Sequence, residues 1–276
     1  MLIRAMALRN RMEEFNKRAR RGERESARFS SSIRDAAGGG PRILTLEIYD
    51  EIDAYWGIGP QQIIDAMKSA GDVSSIELRL NSIGGNIFDG AAIYNLLKDH
   101  PAPVTAIVDG LAASIGSLIA MAGDRIVVGE ASWMMLHRVR GGIWGNAEEM
   151  IEFADLLDRM TGELSAIYQA RAGKDSETVE GWIRAETWFS ADEAIAAGLA
   201  DEKSADAERS GLAALAGIDL AAYGIGRAPA AVRAAARASR SAGAAEATKT
   251  ESQEREFPRD GARLRRARLA RLNARI

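Results

Sequence analysis

From residue 43 onward the apolar positions switch repeatedly between the two-residue period of a strand and the 3.6-residue period of a helix, which constrains the fold more than any other feature. ILTLEIYDEI (43–52) reads as a strand, and Pro60 to Ala70 brings Ile63, Ile64 and Met67 onto one helical face. SIELRL (75–80) alternates Ile76, Leu78 and Leu80; Ile87 to Leu97 is helical, and PVTAIVDG (103–110) is a short buried strand. An apolar, small-residue helix is expected from Ala112 to Ala122, then strands in RIVVGE and SWMML. A long amphipathic helix from Ala147 to Ala172 lines up Met150, Phe153, Leu156, Leu157, Met160, Leu164 and Ile167 on its apolar side. Shorter helices follow near 176–185 and 191–197, the second closed by Gly198. Strands that alternate with helices need crossover connections, so the expected fold class is α/β with a largely parallel sheet.

Charge is segregated along the chain. Residues 1–42 carry 11 Lys and Arg against 5 Asp and Glu, and residues 226–276 carry 13 against 5, which leaves 12 against 29 for residues 43–225. An acidic body therefore bears a basic arm at each end. The first arm ends in Ser30 to Ser32 and the Gly38-Gly39-Gly40-Pro41 break, a linker signature. The last is rich in Ala and Arg, and its final RLRRARLARLNARI suits a basic helix on a partner. The expected organisation is a flexible arm over 1–42, one folded body over 43–225, and a disordered or partner-binding tail over 226–276. Such arms suit an acidic scaffold, nucleic acid, or the protein's own body.

Composition removes whole classes of chemistry. Without cysteine, and with only His100 and His137, the chain has no disulfide framework, thiol nucleophile or multi-histidine metal centre, and no metal or cofactor is expected. The best candidate membrane span, 110–123, is too short and carries Gly and Ser. The N-terminal MLIRAMALRNRM sets arginines inside its apolar patch, unlike a secretory signal, so a soluble intracellular protein is expected.

The most informative segment for chemistry is GLAASIGSLIAMAG (110–123). A strand ends, small residues follow, and a helix begins near Ser114, whose hydroxyl then sits beside the unpaired N–H groups of a helix N-terminus. That arrangement serves acyl transfer, with the Ile115 N–H stabilising an oxyanion; it equally describes an ordinary N-cap serine. Ser117, one turn on, competes for the role of nucleophile, but inside a helix its hydroxyl can bond the backbone instead. LNSIGGNIFDG (80–90) lacks both phosphate-binding glycine spacings, and Gly84-Gly85 offers a backbone N–H to an oxyanion or a bound peptide. If Ser114 needs an imidazole base, only His137 or His100 can supply it, and His100 sits between Asp99 and Pro101 in an expected surface turn. A carboxylate would orient the imidazole, yet acids are too abundant in the body for spacing to pick one.

Four blocks in order, LNSIGGNIFDGAAIYNLL, DGLAASIGSLIAMAGD, SWMMLHRVRGGIWGNAEE and ETWFSADEAIAAGLAD, resemble the glycine-loop, nucleophile, histidine and closing acid blocks of the ClpP-type serine peptidases. They are most similar to the ClpP-related head maturation (prohead) proteases of tailed phages, over roughly residues 43–203. The resemblance implies a ClpP/crotonase-like fold, ring-forming subunits, and a triad of Ser114 as nucleophile, His137 as base and Glu186 as orienting acid. It further implies oxyanion donors at Gly84 and Ile115, and substrate binding by Gly85 and by an edge strand, VRGGIWG, that includes Arg140, Gly141 and Gly142. The long helix matches the handle through which family members stack rings. Two positions depart from the family pattern: Glu186 stands where Asp is usual, with Asp192 and Asp201 as nearby alternatives, and Ile83 stands where Pro is usual.

The resemblance thus implies a serine endopeptidase that works through an acyl-enzyme on scaffold and capsid precursors, in the host cytoplasm or inside a procapsid. Two other functions compete. One is a crotonase-like acyl-CoA enzyme, which the Ser114/His137 pairing and the acidic body oppose; a Ser/Lys dyad is a further variant, but its base would have to be Lys68 or Lys98, each at the end of an expected surface helix and better read as a solvated charge. The other is a non-catalytic oligomeric shell or scaffold protein that keeps the fold.

Overall fold

The computed structural model describes residues 29–35, 40–204, 220, 225, 227–234 and 236. Most of both basic arms, including the final basic stretch, lies outside the described residues. Among the described residues eight strands form one mixed sheet: β1 (Phe29–Asp35), β2 (Arg42–Ile48), β3 (Ser75–Ser82), β4 (Val104–Ala113), β5 (Arg125–Val128), β6 (Trp133–Leu136), β7 (Thr187–Ser190) and β8 (Glu202–Lys203). Strands β2, β3, β4, β5 and β8 run parallel in that order. β1 pairs antiparallel with β2 at one edge, and β7 pairs antiparallel with β6, which branches from β4. Among the described residues the main helices are α1 (Pro60–Ala70), α2 (Ile87–Lys98), α3 (Ile115–Ala120), α4 (Ala147–Ala172), α5 (Ser176–Ala185) and α6 (Ala191–Ala197). The α/β class is as expected, with a sheet mostly but not wholly parallel.

Alternation in the strands builds the core. Leu44, Leu46 and Ile48 of β2, Ile76, Leu78 and Leu80 of β3, and Val104, Ala106 and Val108 of β4 are all buried, together with Ile63 of α1, Ile93 and Leu97 of α2, and Leu118 and Ile119 of α3. At about 25 cal/mol per Å² of apolar surface removed from water, this layer is the main force holding the sheet to its helices.

β4 positions the site. Its first half, Thr105–Val108, pairs with β5, and its second half, Leu111–Ala113, pairs with β6. The change of partner falls at a bulge, where Leu80 and Ser82 of β3 oppose Val108 and Ala112. Asp109, inside that bulge, is 7% exposed and is held by both Arg79 and the Tyr49 hydroxyl. Burial and the neighbouring Asp109 push the Tyr49 phenol up to about 12, so it stays a donor.

Three local findings differ from the sequence reading. β4 runs on to Ala113 and α3 is only six residues, because Ala112 and Ala113, read as helix, find ladder partners in β6. Phe29–Asp35, inside the expected flexible arm, is an edge strand held by its ladder to β2, and its mostly exposed side chains give no burial pattern to read. Residues 227–234 and 236, inside the expected tail, pack on the body through Ala228, Val232 and Ala236.

Candidate active site

Ser114 sits between the last residue of β4 and the first of α3. Its φ of 55° and ψ of −129° fall in a region costly to a residue with a Cβ, and its N–H donates to Met135 O at 2.9 Å. Such a strand-to-helix turn lifts the Oγ clear of the backbone. Two glycines make room for it. A Cβ on Gly84 would stand 2.6 Å from Ala113 O and 2.8 Å from Ser114 Cβ, and one on Gly90 would stand 2.1 Å from Ile115 Cγ1.

His137 follows the end of β6, and its Nε2 lies 2.7 Å from Ser114 Oγ. The structure therefore brings together the two residues singled out as nucleophile and base. Desolvation and, after it, the Arg140 cation lower the imidazole pKa to about 4 against the opposing Glu186 carboxylate. The ring is neutral at pH 7, as a general base must be. A neutral ring accepting from Ser114 at Nε2 carries its proton on Nδ1, and Nδ1 is buried with no hydrogen-bond partner among the described residues.

Glu186 is the C-cap of α5, in the left-handed conformation with φ 55°. It and Ser114 are the only non-glycine residues with positive φ among those described. Its carboxylate is spent elsewhere than on His137: Oε2 accepts from Arg140 at 2.6 Å and Oε1 from the backbone N–H of Arg227 at 3.1 Å. Burial works to raise its pKa, but those two hydrogen bonds and the charges of Arg140 and His137 outweigh it and hold the group below the ordinary carboxylate value. The alternatives are engaged too: Asp192 pairs with Lys203 at 2.8 Å, and Asp201 accepts from Ile126 N at 2.6 Å and from Arg171 at 2.5 Å.

The glycine loop divides its work between neighbours. The N–H of Gly84 donates to Ser82 Oγ at 3.1 Å, and Ser82 Oγ donates in turn to Asp50 O at 2.6 Å. Gly84, expected as an oxyanion donor, therefore has its N–H in use. Gly85 lines the cavity beside Ser114 and Ile115, and its N–H has no partner among the described residues. The cavity is about 330 Å³, and Ile87, Phe88, Leu164, Tyr168 and Ile183 give it an apolar wall. Residues 139–145, expected as an edge strand, join no strand of the sheet. Their N-terminal end is tied by Val139 N to Thr161 Oγ1 at 3.2 Å, Gly141 lies against Phe153 of α4, and Gly142 faces open space.

The competitors sit elsewhere. Ser117 Oγ is fully buried, bonding Ser114 O at 2.7 Å and lying 2.8 Å from the Tyr168 hydroxyl. His100 Nδ1 accepts from Ala102 N at 3.1 Å in the turn after α2. Among the described residues no cluster of His, Asp and Glu converges as metal ligands would, and no helix is long and apolar enough to cross a membrane. Sequence reasoning missed Ile225, which lines the cavity, and Arg227, which holds Glu186. Neither carries a signal, since Ile225 ends the body and Arg227 begins the Ala/Arg-rich tail with no strand or helix period around them to place either.

Residues 57–205, which include the Ser114–His137 contact and the glycine loop, match the family Clp protease. Over 138 residues the chain is 33% identical to the ATP-dependent Clp protease proteolytic subunit 3 of Rhodococcus jostii (strain RHA1), an alignment covering 49% of this chain and 68% of that protein. A hydroxyl lifted from a strand-to-helix turn onto a neutral imidazole is what a peptidase of this kind needs, and the chain belongs to the Clp protease family.

Proposed function

We propose that the protein is a serine endopeptidase with Ser114 as nucleophile and His137 as general base. The observation that carries this reading is the 2.7 Å contact between Ser114 Oγ and His137 Nε2 at a turn whose backbone is strained around the serine. Ser114 Oγ attacks the substrate carbonyl carbon while His137 Nε2 takes its proton. The oxyanion then meets the N–H of Ile115, at the start of α3, and that of Gly85, which takes the role expected of Gly84. Collapse of this intermediate breaks the C–N bond, and His137 returns the proton to the leaving amine. Water, activated by the same imidazole, clears the acyl-enzyme. Glu186 serves as the orienting acid, and residues 139–145, including Arg140, Gly141 and Gly142, bind the substrate backbone by strand addition. The apolar cavity favours a substrate with an apolar side chain beside the cleaved bond.

The biological setting we propose is maturation of a phage head. There a homo-oligomeric ring, stacked through α4, cleaves scaffold and capsid precursors in the host cytoplasm or procapsid. This rests on the four-block resemblance and on the basic arms, which suit an acidic scaffold. The test is a fluorophosphonate probe and a scaffold-derived substrate applied to the full chain. Ser114→Ala and His137→Ala should each abolish labelling, and Ser114→Ala should stop cleavage. Cleavage at the wild-type rate by Ser114→Ala overturns the reading.

A further inference from the structure

The residues that end the described chain lie on the site itself. Ile225 lines the cavity, while Leu220, Ile225, Ala228, Val232 and Ala236 close a second apolar cluster over Ile83, Leu111, Ala113 and Met135. Residues 230–234 are helical, with Arg233 N donating to Pro229 O at 3.0 Å, and Val232 is fully buried. From this anchored position Arg227 reaches the end of α5 twice: its N–H donates to Glu186 Oε1 at 3.1 Å, and its Nη1 donates to Ala185 O at 2.9 Å.

We infer that residues 227–234 form a latch that keeps the catalytic triad incomplete by occupying, through the N–H of Arg227, the carboxylate oxygen of Glu186 that would otherwise receive the Nδ1 proton of His137. The inference rests on the peptidase reading and on Glu186 as its acid. Three observations converge on it. The Ser114–His137 half of the triad is already formed at 2.7 Å. His137 Nδ1 is buried and unpartnered, a costly state that a nearby acceptor would relieve. Glu186 is near enough for its charge to act on the ring, yet its two oxygens are turned to Arg140 and to the Arg227 N–H and neither bonds Nδ1. On release, Oε1 turns from Arg227 to Nδ1–H while Oε2 keeps Arg140, so Glu186 exchanges one hydrogen bond for another without losing its cation. With Nδ1–H held, the tautomer that accepts the serine proton is fixed.

The test measures the rate of Ser114 labelling by a fluorophosphonate in the full chain. Val232→Asp unpins the segment from its apolar cluster; Arg227→Pro removes the N–H donor without placing a charge in that cluster, which covers the case in which the first variant unfolds. A labelling rate raised at least about tenfold in either variant supports the latch, since an oriented imidazole is worth up to about four orders of magnitude in triad enzymes. Adding Glu186→Gln should erase the gain, an effect that mere loosening of the cavity would not produce. The acid limb of the labelling profile should also move upward, because a carboxylate on Nδ1 favours the imidazolium; Arg140 and Glu186 are the charged groups acting on the ring. Wild-type rates in both variants, or a gain that survives Glu186→Gln, overturn the latch while leaving the peptidase reading standing. Absence of labelling in wild type and both variants overturns both.

Discussion

Ser114 and Glu186 share a property that no side-chain pattern announces: each holds a left-handed φ of 55°. Positive φ at a non-glycine residue costs of order 1 kcal/mol or more and persists where the surroundings enforce it. For Ser114 these are the ladder bond to Met135 O and the bare face of Gly84. His137 adds a measurable consequence. Its pKa is about 4 in the folded protein and about 6.5 once exposed, so between these values the unfolded chain binds more protons. The stability tied to neutral His137 is present in full above about pH 6.5 and is lost as pH falls through 4. Urea titrations at pH 7.5 and 4.5 should show the wild type losing on the order of 3 kcal/mol that His137→Gln keeps. Equal losses in the two proteins would mean that the imidazole is not desolvated as described.

At the scale of elements, the turn that carries Ser114 depends on how β4 changes partners and on how closely the glycine loop approaches it. A side chain at Gly84 would collide with backbone atoms, Ala113 O at 2.6 Å and Ile115 N at 3.0 Å, and the residue's φ of 88° is unfavourable to anything but glycine. Gly84→Ala should therefore push the loop away from α3, separating Gly85 N–H from Ile115 N–H. Loss of one oxyanion donor costs about 100-fold or more in kcat, which hydrolysis of a short apolar peptide would register. Wild-type kcat in Gly84→Ala would remove the glycine loop from the oxyanion site. The strands and helices of the body were largely legible, because Leu44, Leu46, Ile48 and their counterparts in β3 keep a two-residue period wherever one face is buried. The short α3 was not. Ala112, Ala113 and Ser114 have no period of their own, and pairing with β6, distant in sequence, decided that two of them extend a strand.

For the whole molecule, the long helix and the ends of the chain carry the remaining questions. The apolar side expected on α4 is only partly covered by the described residues: Leu164 and Ile167 pack against the core, while Met150 is 46% and Leu156 37% exposed, with Ile151 beside them 64% exposed. Ile143 and Trp144, just before the helix, are exposed as well. Exposed apolar residues grouped in this way are the kind of patch that proteins use for association. Met150→Asp combined with Ile151→Asp should lower the mass measured by light scattering to that of a smaller assembly without lowering the helix content. An unchanged mass would exclude this end of α4 from the contact. Within the stretches read from composition as arm and tail, Phe29–Asp35 pairs with β2, and Ala228, Val232 and Ala236 pack on the body.

What the sequence determined by itself is the local and ordered part. Periodicity set the α/β succession, the scarcity of histidine limited the imidazole base to His137 or His100, and four blocks in sequence tied Ser114, His137 and the glycine loop to one kind of chemistry. What only the tertiary structure decided is which polar atoms meet. Gly84 and Gly85 are adjacent and identical in type, yet the N–H of Gly84 donates to Ser82 while Gly85 is the one that lines the cavity. Glu186 lies within the influence of His137, but a residue 41 positions further on takes its oxygen. Hydrogen bonds saturate, each oxygen and each N–H serving few partners, so their allocation depends on everything brought within about 3 Å. No spacing along the chain encodes that competition.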